Sequence, residues 1–377
     1  MTRRNRVSFV LQEAEDGGVD RCFLNLARGF IQRGVEADLL VRNLPKTLLA
    51  LTDPAVNLIR LGPSTRQLTP LLRALTEHRK PAALMAAKDS DARLALALGR
   101  RLKVPAVLVA SLDHSGQLDG RNAGRLRRWL RFRELRRLYG QADHIICVSQ
   151  GVAEDMAHIL GGACPPISIL PNPVITPEFE NLAAQPLDHP WFARGEPPVI
   201  LGVGRLSLIK NFPLLVRAFA RVHPDTGTRL VILGEGKQRT ELLRLGEQLG
   251  VGAWMDLPGH VANPYPYMAR SALFVLSSLW EGFGNVLVEA LACGTPVVAT
   301  DCRSGPAQIL ESGRFGALVP VNDPQALADA IVNTLNNRLP ADFLKQAATP
   351  YTLNNSVEAY LSALGLTPQR DSAPDSH

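Results

Sequence analysis

The sequence predicts an α/β protein built as two doubly wound halves. Short apolar runs alternate with longer amphipathic stretches through the first 170 residues. The same alternation restarts near residue 199, and a proline-rich interval separates the two series. Alternating strand and helix signals of this kind specify a mostly parallel sheet covered by helices, here twice over.

In the first half the apolar runs are 7–11, 37–41, 82–85, 106–110, 144–148 and 167–170. Each is short, rich in Val, Ile, Leu or Ala, and bounded by polar or turn residues, as strands buried on both faces are. Helices are expected between them over 19–33, 91–102 and 121–139. In the first of these, Val19, Cys22, Phe23, Leu26 and Phe30 recur at the spacing of one buried face. In the second half, 199–203, 230–233, 255–257, 273–276 and 296–299 read as strands. Residues 212–222, 237–249, 284–293 and 323–336 read as helices.

Residues 171–198 contain Pro171, Pro173, Pro177, Pro186, Pro190, Pro197 and Pro198, the composition of a linker. The expected organisation is a first domain over 1–172 and a second over 173–350. A helix over 351–364 is expected to pack back on the first domain, followed by a disordered tail over 365–377.

Composition excludes several classes. At 46% hydrophobic and 20% charged residues, the chain lies far from the disordered range. Five scattered cysteines, with no C-x-x-C pair, offer neither a disulfide framework nor a four-ligand zinc site, and they fit a reducing compartment. The run 7–11 is too short for a signal-peptide core, and no stretch reaches the roughly 20 apolar residues that span a bilayer. The net charge of +6 is uneven: residues 1–172 carry 26 Lys and Arg against 16 acids, and residues 173–377 carry 15 against 19. The basic half contains no recognisable nucleic-acid module, so nucleic acid is not expected as a partner.

Three segments carry chemistry. In LGVGRLSLIKN (201–211), Arg205 and Lys210 follow a strand that ends in glycines. Cations beside a close-approaching backbone suit a diphosphate, although a solvated basic loop would look the same. In WEGFGNVLVEALACGTPVVAT (280–300), Glu281 precedes a glycine turn. Glu289 sits in an otherwise apolar helix, where a carboxylate needs a partner such as a ribose diol; a surface glutamate is the plainer reading. The turn before that helix offers backbone N–H groups to an anion. LGEGKQR (233–239) and LPGHV (257–261) each add a glycine turn after a strand.

Taken together and in this order, these segments resemble the C-terminal domain of the retaining GT-B glycosyltransferases of family four, bacterial enzymes of lipopolysaccharide, capsule and glycolipid assembly. The E-x7-E pair and the Arg-x4-Lys pair are that family's signature. The resemblance is dense over about 110 residues. It continues thinly through Asp16-Gly17-Gly18-Val19, His114, Val148-Ser149 and Leu170-Pro171-Asn172-Pro173.

The resemblance implies two Rossmann-like domains facing across a cleft, and it implies roles by position. Arg205 and Lys210 would bind the donor diphosphate and stabilise the leaving group. Glu289 would hold the ribose, and Glu281 would contact the donor sugar near the reacting carbon. Phe283, Gly284 and Asn285 would hold sugar and phosphate through the backbone. The base would rest near Gly259, His260 and Val261. Gly17 and Gly18 would let the first loop close over the diphosphate, and His114 would point at the donor sugar.

No metal or other cofactor is expected, because Arg205, Lys210 and the helix start after Gly284 could neutralise the departing nucleoside diphosphate. The family retains anomeric configuration; a two-carboxylate double displacement with Glu281 as nucleophile is the alternative mechanism. Asp89-Ser90-Asp91 has the form of a D-x-D metal motif but reads as an ordinary helix start. The donor is expected to be a UDP-sugar, with a GDP-sugar as the alternative.

Residues 121–139 hold eight arginines and one acid, Glu134. A helical projection sets Arg121, Arg125, Arg128 and Arg136 on one arc with Trp129, Phe132 and Tyr139, a combination suited to an anionic membrane surface. Leu126 and Leu130 fall on the opposite arc and could face the core. The expected setting is therefore the inner face of the cytoplasmic membrane, with a lipid-linked or saccharide acceptor. Alternatives are an inactive nucleotide-sugar-binding protein of this fold, a sugar-nucleotide epimerase or a glycogen-type synthase. A nicotinamide dehydrogenase is rejected, since Gly17-Gly18 is not a complete G-x-G-x-x-G.

Overall fold

The computed structural model describes residues 5–15, 17–62, 68–77, 80–121, 123–162 and 164–366. Asp16 and residues 367–377, where most of the expected disordered tail falls, lie outside the described residues. The chain forms two compact units. The first comprises residues 1–111, 123–174 and 352–377; the second comprises 112–122 and 175–351.

The first unit holds a seven-stranded, all-parallel sheet. Its strands are β1 (Arg6–Val10), β2 (Glu36–Val41), β3 (Asn57–Arg60), β4 (Ala83–Ala86), β5 (Ala106–Ala110), β6 (His144–Cys147) and β7 (Ile167–Ile169), in the order β3-β2-β1-β4-β5-β6-β7. β4 and β5 are wholly buried, as strands covered on both faces must be. The helix Gly18–Gln32 follows β1 and buries Phe23 and Phe30 against Phe9 of that strand, with ring centroids 5.5 and 5.6 Å apart. Gly29 of this helix lies against Val357 of the helix Leu353–Ala363, and a Cβ added at Gly29 would stand 2.2 Å from Val357 Cγ2. The last helix thus completes the first unit by docking tightly on its first helix.

The second unit holds a six-stranded parallel sheet. Its strands are β8 (Val199–Val203), β9 (Arg229–Leu233), β10 (Met255–Gly259), β11 (Leu273–Leu276), β12 (Val297–Thr300) and β13 (Ala317–Val319), in the order β10-β9-β8-β11-β12-β13. The helices Phe212–Thr226 and Pro324–Asn336 bury Leu215, Phe219, Val222, Leu327 and Ile331 in one core with Ile200 and Leu230 of the sheet.

Both sheets reverse their strand order once, between β1 and β4 and between β8 and β11. In open α/β sheets ligands bind beyond the carboxyl ends of the strands at such reversals. Two doubly wound parallel sheets are the fold class expected from the sequence. Among the elements the structure adds to those expected are β3, β13 and the helices Leu68–Glu77, His114–Gly120 and Gln150–Leu160, besides several shorter helices.

The expected helix over 121–139 begins only at Arg125, with Arg121 closing the preceding helix, and the alternative that set Leu126 and Leu130 in the core is overturned. Leu126 and Leu130 do not face the core: they are 71% and 51% exposed, and Trp129 is 53% exposed. The helix Arg125–Tyr139 instead buries Leu135, Leu138 and Tyr139. Tyr139 therefore turns inward, taking its side of the expected arc with it, where Arg128 and Phe132 are half-buried; burial pushes its phenol pKa far up, and its hydroxyl meets Asp89 Oδ1 at 3.5 Å. Core packing, which a helical projection cannot register, sets the rotation of this helix.

Candidate active site

The site of the second unit is built where its sheet reverses. β8 ends at Val203, and the chain continues through Gly204 and the exposed Arg205 to a single 3-10 turn, Leu208–Lys210. β11 ends at Leu276 and continues through Ser277 and Ser278 to Glu281. Two bonds stitch these loops together. Leu279 N donates to Ile209 O at 2.8 Å, and Ser277 Oγ donates to Lys210 O at 2.8 Å. The backbone of Lys210 is thereby fixed, and its side chain turns to the other loop.

Lys210 Nζ lies 2.5 Å from Glu281 Oε1, with the two side chains 20% and 11% exposed. Ser278 Oγ donates to the same carboxylate oxygen at 2.6 Å. Ser278 is itself held, since Thr300 Oγ1 at the end of β12 donates to Ser278 O at 2.6 Å. Of the residues expected at the site, Lys210 and Glu281 are thus brought into direct contact. Ser278 and Thr300 were not expected. Their signal in the sequence is a polar residue placed right after an apolar strand, as in LFVLSS and VVAT.

Cys302 lies beside this pair. Burial first, and the nearby Glu281 carboxylate second, push its thiol up to about 12, while Lys210 pulls the other way. It is a neutral packing residue at physiological pH rather than a nucleophile.

Beyond Glu281 the chain turns through Gly282, buries Phe283 with its ring 4.9 Å from that of Tyr351, and reaches Gly284. Gly284, at φ 105° and ψ 53°, caps the helix Asn285–Ala292. Phe283 can therefore offer a ligand its backbone but not its ring. A helix N-terminus at this point of the chain is where an anion is favoured, and the first bond of the turn runs from Leu287 N to Gly284 O at 2.9 Å. Glu289 stands half-buried on the same helix, whose Leu287, Val288, Ala290 and Leu291 are buried.

Gly259 ends β10 and accepts from Gly234 N at 2.7 Å; His260 is exposed and Val261 half-buried just beyond. Arg239 donates to Leu257 O at 2.6 Å and to Glu235 Oε1 at 3.1 Å, tying the loop after β9 to β10.

His114 opens the helix His114–Gly120 and is buried. Asp113 caps this helix, with Gly116 N donating to its carboxylate at 2.8 Å. The segment 112–122 groups with the second unit, where Gly120 packs on the ring of Trp280, the neighbour of Glu281.

In the first unit, Gly17 caps the helix Gly18–Gln32, and nothing lies within 4 Å of where its Cβ would stand. Asp89 and Asp91 serve separate partners. Asp89 pairs with Arg131 at 2.5 Å, and Asp91 accepts from Gln12 N at 3.2 Å. Among the described residues no group of three His, Cys, Asp or Glu side chains stands ready to hold a metal. No helix among them is long and apolar enough to cross a membrane.

Of the residues expected at a membrane, Arg121, Arg125, Trp129 and Arg136 are exposed, whereas Arg128 and Phe132 are half-buried. Phe132 sets its ring edge against His158, and Arg136 donates to Ile159 O.

Comparison with known proteins bears on the family and the fold. Residues 197–337 match the family model described as Glycosyl transferases group 1, and residues 16–177 match that described as Glycosyltransferase Family 4. A Campylobacter jejuni relative, named as an N-acetylgalactosamine-N,N'-diacetylbacillosaminyl-diphospho-undecaprenol 4-alpha-N-acetylgalactosaminyltransferase, is 37% identical over 60% of this chain and 60% of its own length. The chain therefore spans less than two thirds of that relative. The lipopolysaccharide core biosynthesis glycosyltransferase LpsE of Rhizobium meliloti is 26% identical over 94% of this chain and 97% of its own length. The crystal structure of Anabaena HepE in complex with UDP superposes with a TM-score of 0.75, at 22% identity, over 95% of this chain and 100% of the other. With a family 4 domain in its first half, a group 1 domain in its second and the GT-B fold throughout, this chain belongs to the family-four glycosyltransferases.

Proposed function

We propose that the protein transfers a sugar from a UDP-sugar to a lipid-linked saccharide, with retention of anomeric configuration and without a metal, in the assembly of a cell-surface polysaccharide or glycolipid. The observation that carries this reading is the Lys210–Glu281 contact at the reversal of the second sheet. It supports the reading because a cation and a carboxylate stand together beyond the carboxyl ends of the strands at the reversal, where such sheets bind ligands.

In this reading Lys210 and Arg205 face the diphosphate, and the helix start after Gly284 adds its backbone N–H groups. Together they stabilise charge that grows on the departing UDP, in place of a divalent cation. Glu289 takes the ribose hydroxyls, and the base rests by Gly259, His260 and Val261. Glu281 holds the donor sugar beside its anomeric carbon, and His114 faces that sugar. Gly17 and Gly18 give the first loop room to approach the diphosphate. The bond from the anomeric carbon to the diphosphate oxygen breaks, and UDP departs with the electron pair. A bond from the same carbon to the acceptor oxygen forms on the same face, and the acceptor's proton passes to the leaving phosphate.

The acceptor assignment draws on the lipid-linked substrate in the name of the Campylobacter relative. The UDP assignment draws on the UDP complex of the Anabaena protein. The same reading has the enzyme working in the cytoplasm against an anionic membrane surface, supported by the arginine-rich segment 121–139.

Thermal unfolding in EDTA tests the donor half. UDP at about 100 times its dissociation constant should add about 2.7 kcal/mol of stability and raise the midpoint, with GDP and ADP giving less. No shift with any nucleotide, or a shift that appears only when a divalent cation is restored, would overturn the metal-free reading.

A further inference from the structure

The exposed surface of the helix Arg125–Tyr139 forms one continuous stripe. Leu126, Leu130, Arg133 and Arg137 follow one another at helical spacings of four and three, Trp129 flanks them, and the five share an arc of about 100°. Leu126, Trp129 and Leu130 are the exposed apolar side chains of this stripe. The stripe is apolar toward its N-terminal end and basic toward its C-terminal end. It is rotated by about a quarter turn from the arc centred on Arg125 and Arg136.

The basic end opens into a depression of ≈ 340 Å³, lined by Arg93, Leu130, Arg133, Glu134, Arg137 and Leu138. Arg93 comes from the neighbouring helix Asp89–Leu102. Glu134 is already engaged, by Arg93 and, at 2.8 Å, by Arg131. Arg133 and Arg137 have no carboxylate partner among the described residues. The Arg133 guanidinium lies over the Trp129 ring at 5.4 Å. The depression therefore carries excess positive charge at the end of an exposed apolar ridge.

We infer that this stripe is the membrane-facing surface of the first unit, and that Arg93, Arg133 and Arg137 form a seat for the phosphate of an anionic phospholipid headgroup. The inference rests on the membrane part of the proposed function and specifies which face makes the contact. Charge and polarity select the occupant. A headgroup phosphate suits forked guanidiniums, and the acyl region takes the leucines and the indole, which an aqueous polyanion would leave exposed. Trp129, bracketed by Arg133, sits where an interfacial tryptophan would, with its ring at the apolar side and a cation on its face.

The test uses the full chain and vesicles of phosphatidylcholine with about 30% phosphatidylglycerol at low salt, where surface charge is least screened. Flotation is compared for the wild type, R133Q/R137Q and R217Q/R244Q; the last removes the same charge from exposed positions of the second unit. In parallel, tryptophan quenching by brominated phosphatidylglycerol is compared between the wild type and W129F.

The expected result is that R133Q/R137Q weakens vesicle binding by about thirtyfold, the effect of two basic residues at an anionic surface. R217Q/R244Q should bind like the wild type, and the brominated lipid should quench the wild type but not W129F. Vesicle binding in which the two double variants behave alike, or in which W129F is quenched as strongly as the wild type, overturns this inference and leaves membrane docking to another face. No binding of the wild type overturns docking and the inference together, while the UDP shift still reports on the donor site. Single-stranded RNA that displaces the wild type from vesicles and loses its own affinity in R133Q/R137Q would assign the stripe to nucleic acid and overturn the inference. An unchanged UDP shift in each variant shows that it is folded.

Discussion

The Lys210 ammonium and the Glu281 carboxylate meet at 2.5 Å across the reversal of the second sheet, and Ser278 binds the same carboxylate oxygen at 2.6 Å. The geometry makes each partner the other's counter-charge before any ligand arrives. A diphosphate entering beside Lys210 would compete for the ammonium, and Glu281 would then be released toward the sugar. Removing one partner should therefore differ from removing the other. Lys210→Met should weaken UDP binding and lower kcat by about 10²–10³-fold, the loss seen when one charge-stabilising donor is deleted. Glu281→Gln should bind UDP within a few-fold of the wild type and still lose most of its turnover. Calorimetric UDP titration beside steady-state kinetics separates the two; equal loss of UDP affinity in both variants would contradict the assignment.

Ser278 is a positioning residue. Ser278→Ala removes one bond to Glu281 and leaves Lys210 in place. Turnover should fall about tenfold, the worth of one hydrogen bond to a charged group, with UDP affinity unchanged. Thr300→Val, which frees the Ser278 carbonyl, should move kcat in the same direction and leave the KM for donor unaltered.

Two glycines give opposite expectations. Gly234 has φ 138°, and an added Cβ would stand 1.9 Å from Gly204 O, a backbone atom that cannot step aside. Gly234→Ala should cost about 3 kcal/mol, visible in urea unfolding. Gly17 has an ordinary φ of −91° and open space around its Cβ. Gly17→Ala should leave the unfolding midpoint unchanged, so any loss of activity reports on the approach of a ligand to that loop. Intact activity in this variant would remove Gly17 from the donor site.

Asp91 sets a pH dependence. Burial raises its carboxyl above the ordinary value of 3.8, against the lowering effect of its bonds from Gln12. A folded-state pKa above the unfolded one means that the folded protein holds the proton more tightly. The stabilisation is complete below the unfolded pKa and is lost as pH rises through the folded one. Asp91→Asn should therefore gain stability relative to the wild type as pH is raised from about 3.5 to about 7. A difference that stays flat, or that runs the other way, would place the charged carboxylate as the favoured form.

What could be read from the sequence follows from how each element is buried. Strands such as β4 and β5, covered on both faces, announce themselves as unbroken apolar runs. The edge strands β3 and β13 pair on one side only and keep exposed or half-buried residues, so NLIR and ALV do not stand out. Lys210 and Glu281 were singled out by the glycines that punctuate their loops and by the family resemblance, and the structure brings the two into contact. Ser278 was not, because a serine after a strand looks the same whether it binds water or a carboxylate. The arginine helix misled for a related reason. Its projection gives relative angles among side chains, and only the packing of Leu135, Leu138 and Tyr139 supplies the absolute one.

The docking of the helix Leu353–Ala363 on Gly29 bears on how the chain is made. The helix Gly18–Gln32 leaves the ribosome some 320 residues before its partner does. At 5–20 residues per second that is roughly 16–64 seconds in which its outer face has no cover. The second unit, whose sheet lies wholly between those two helices in sequence, can fold in the interval; the first must wait until the helix Leu353–Ala363 has emerged. Loss of Leu353, Val357, Tyr360 and Leu361 would consequently act on the earliest part of the chain, as a defect of maturation and solubility in cells more than of catalysis in the protein that survives.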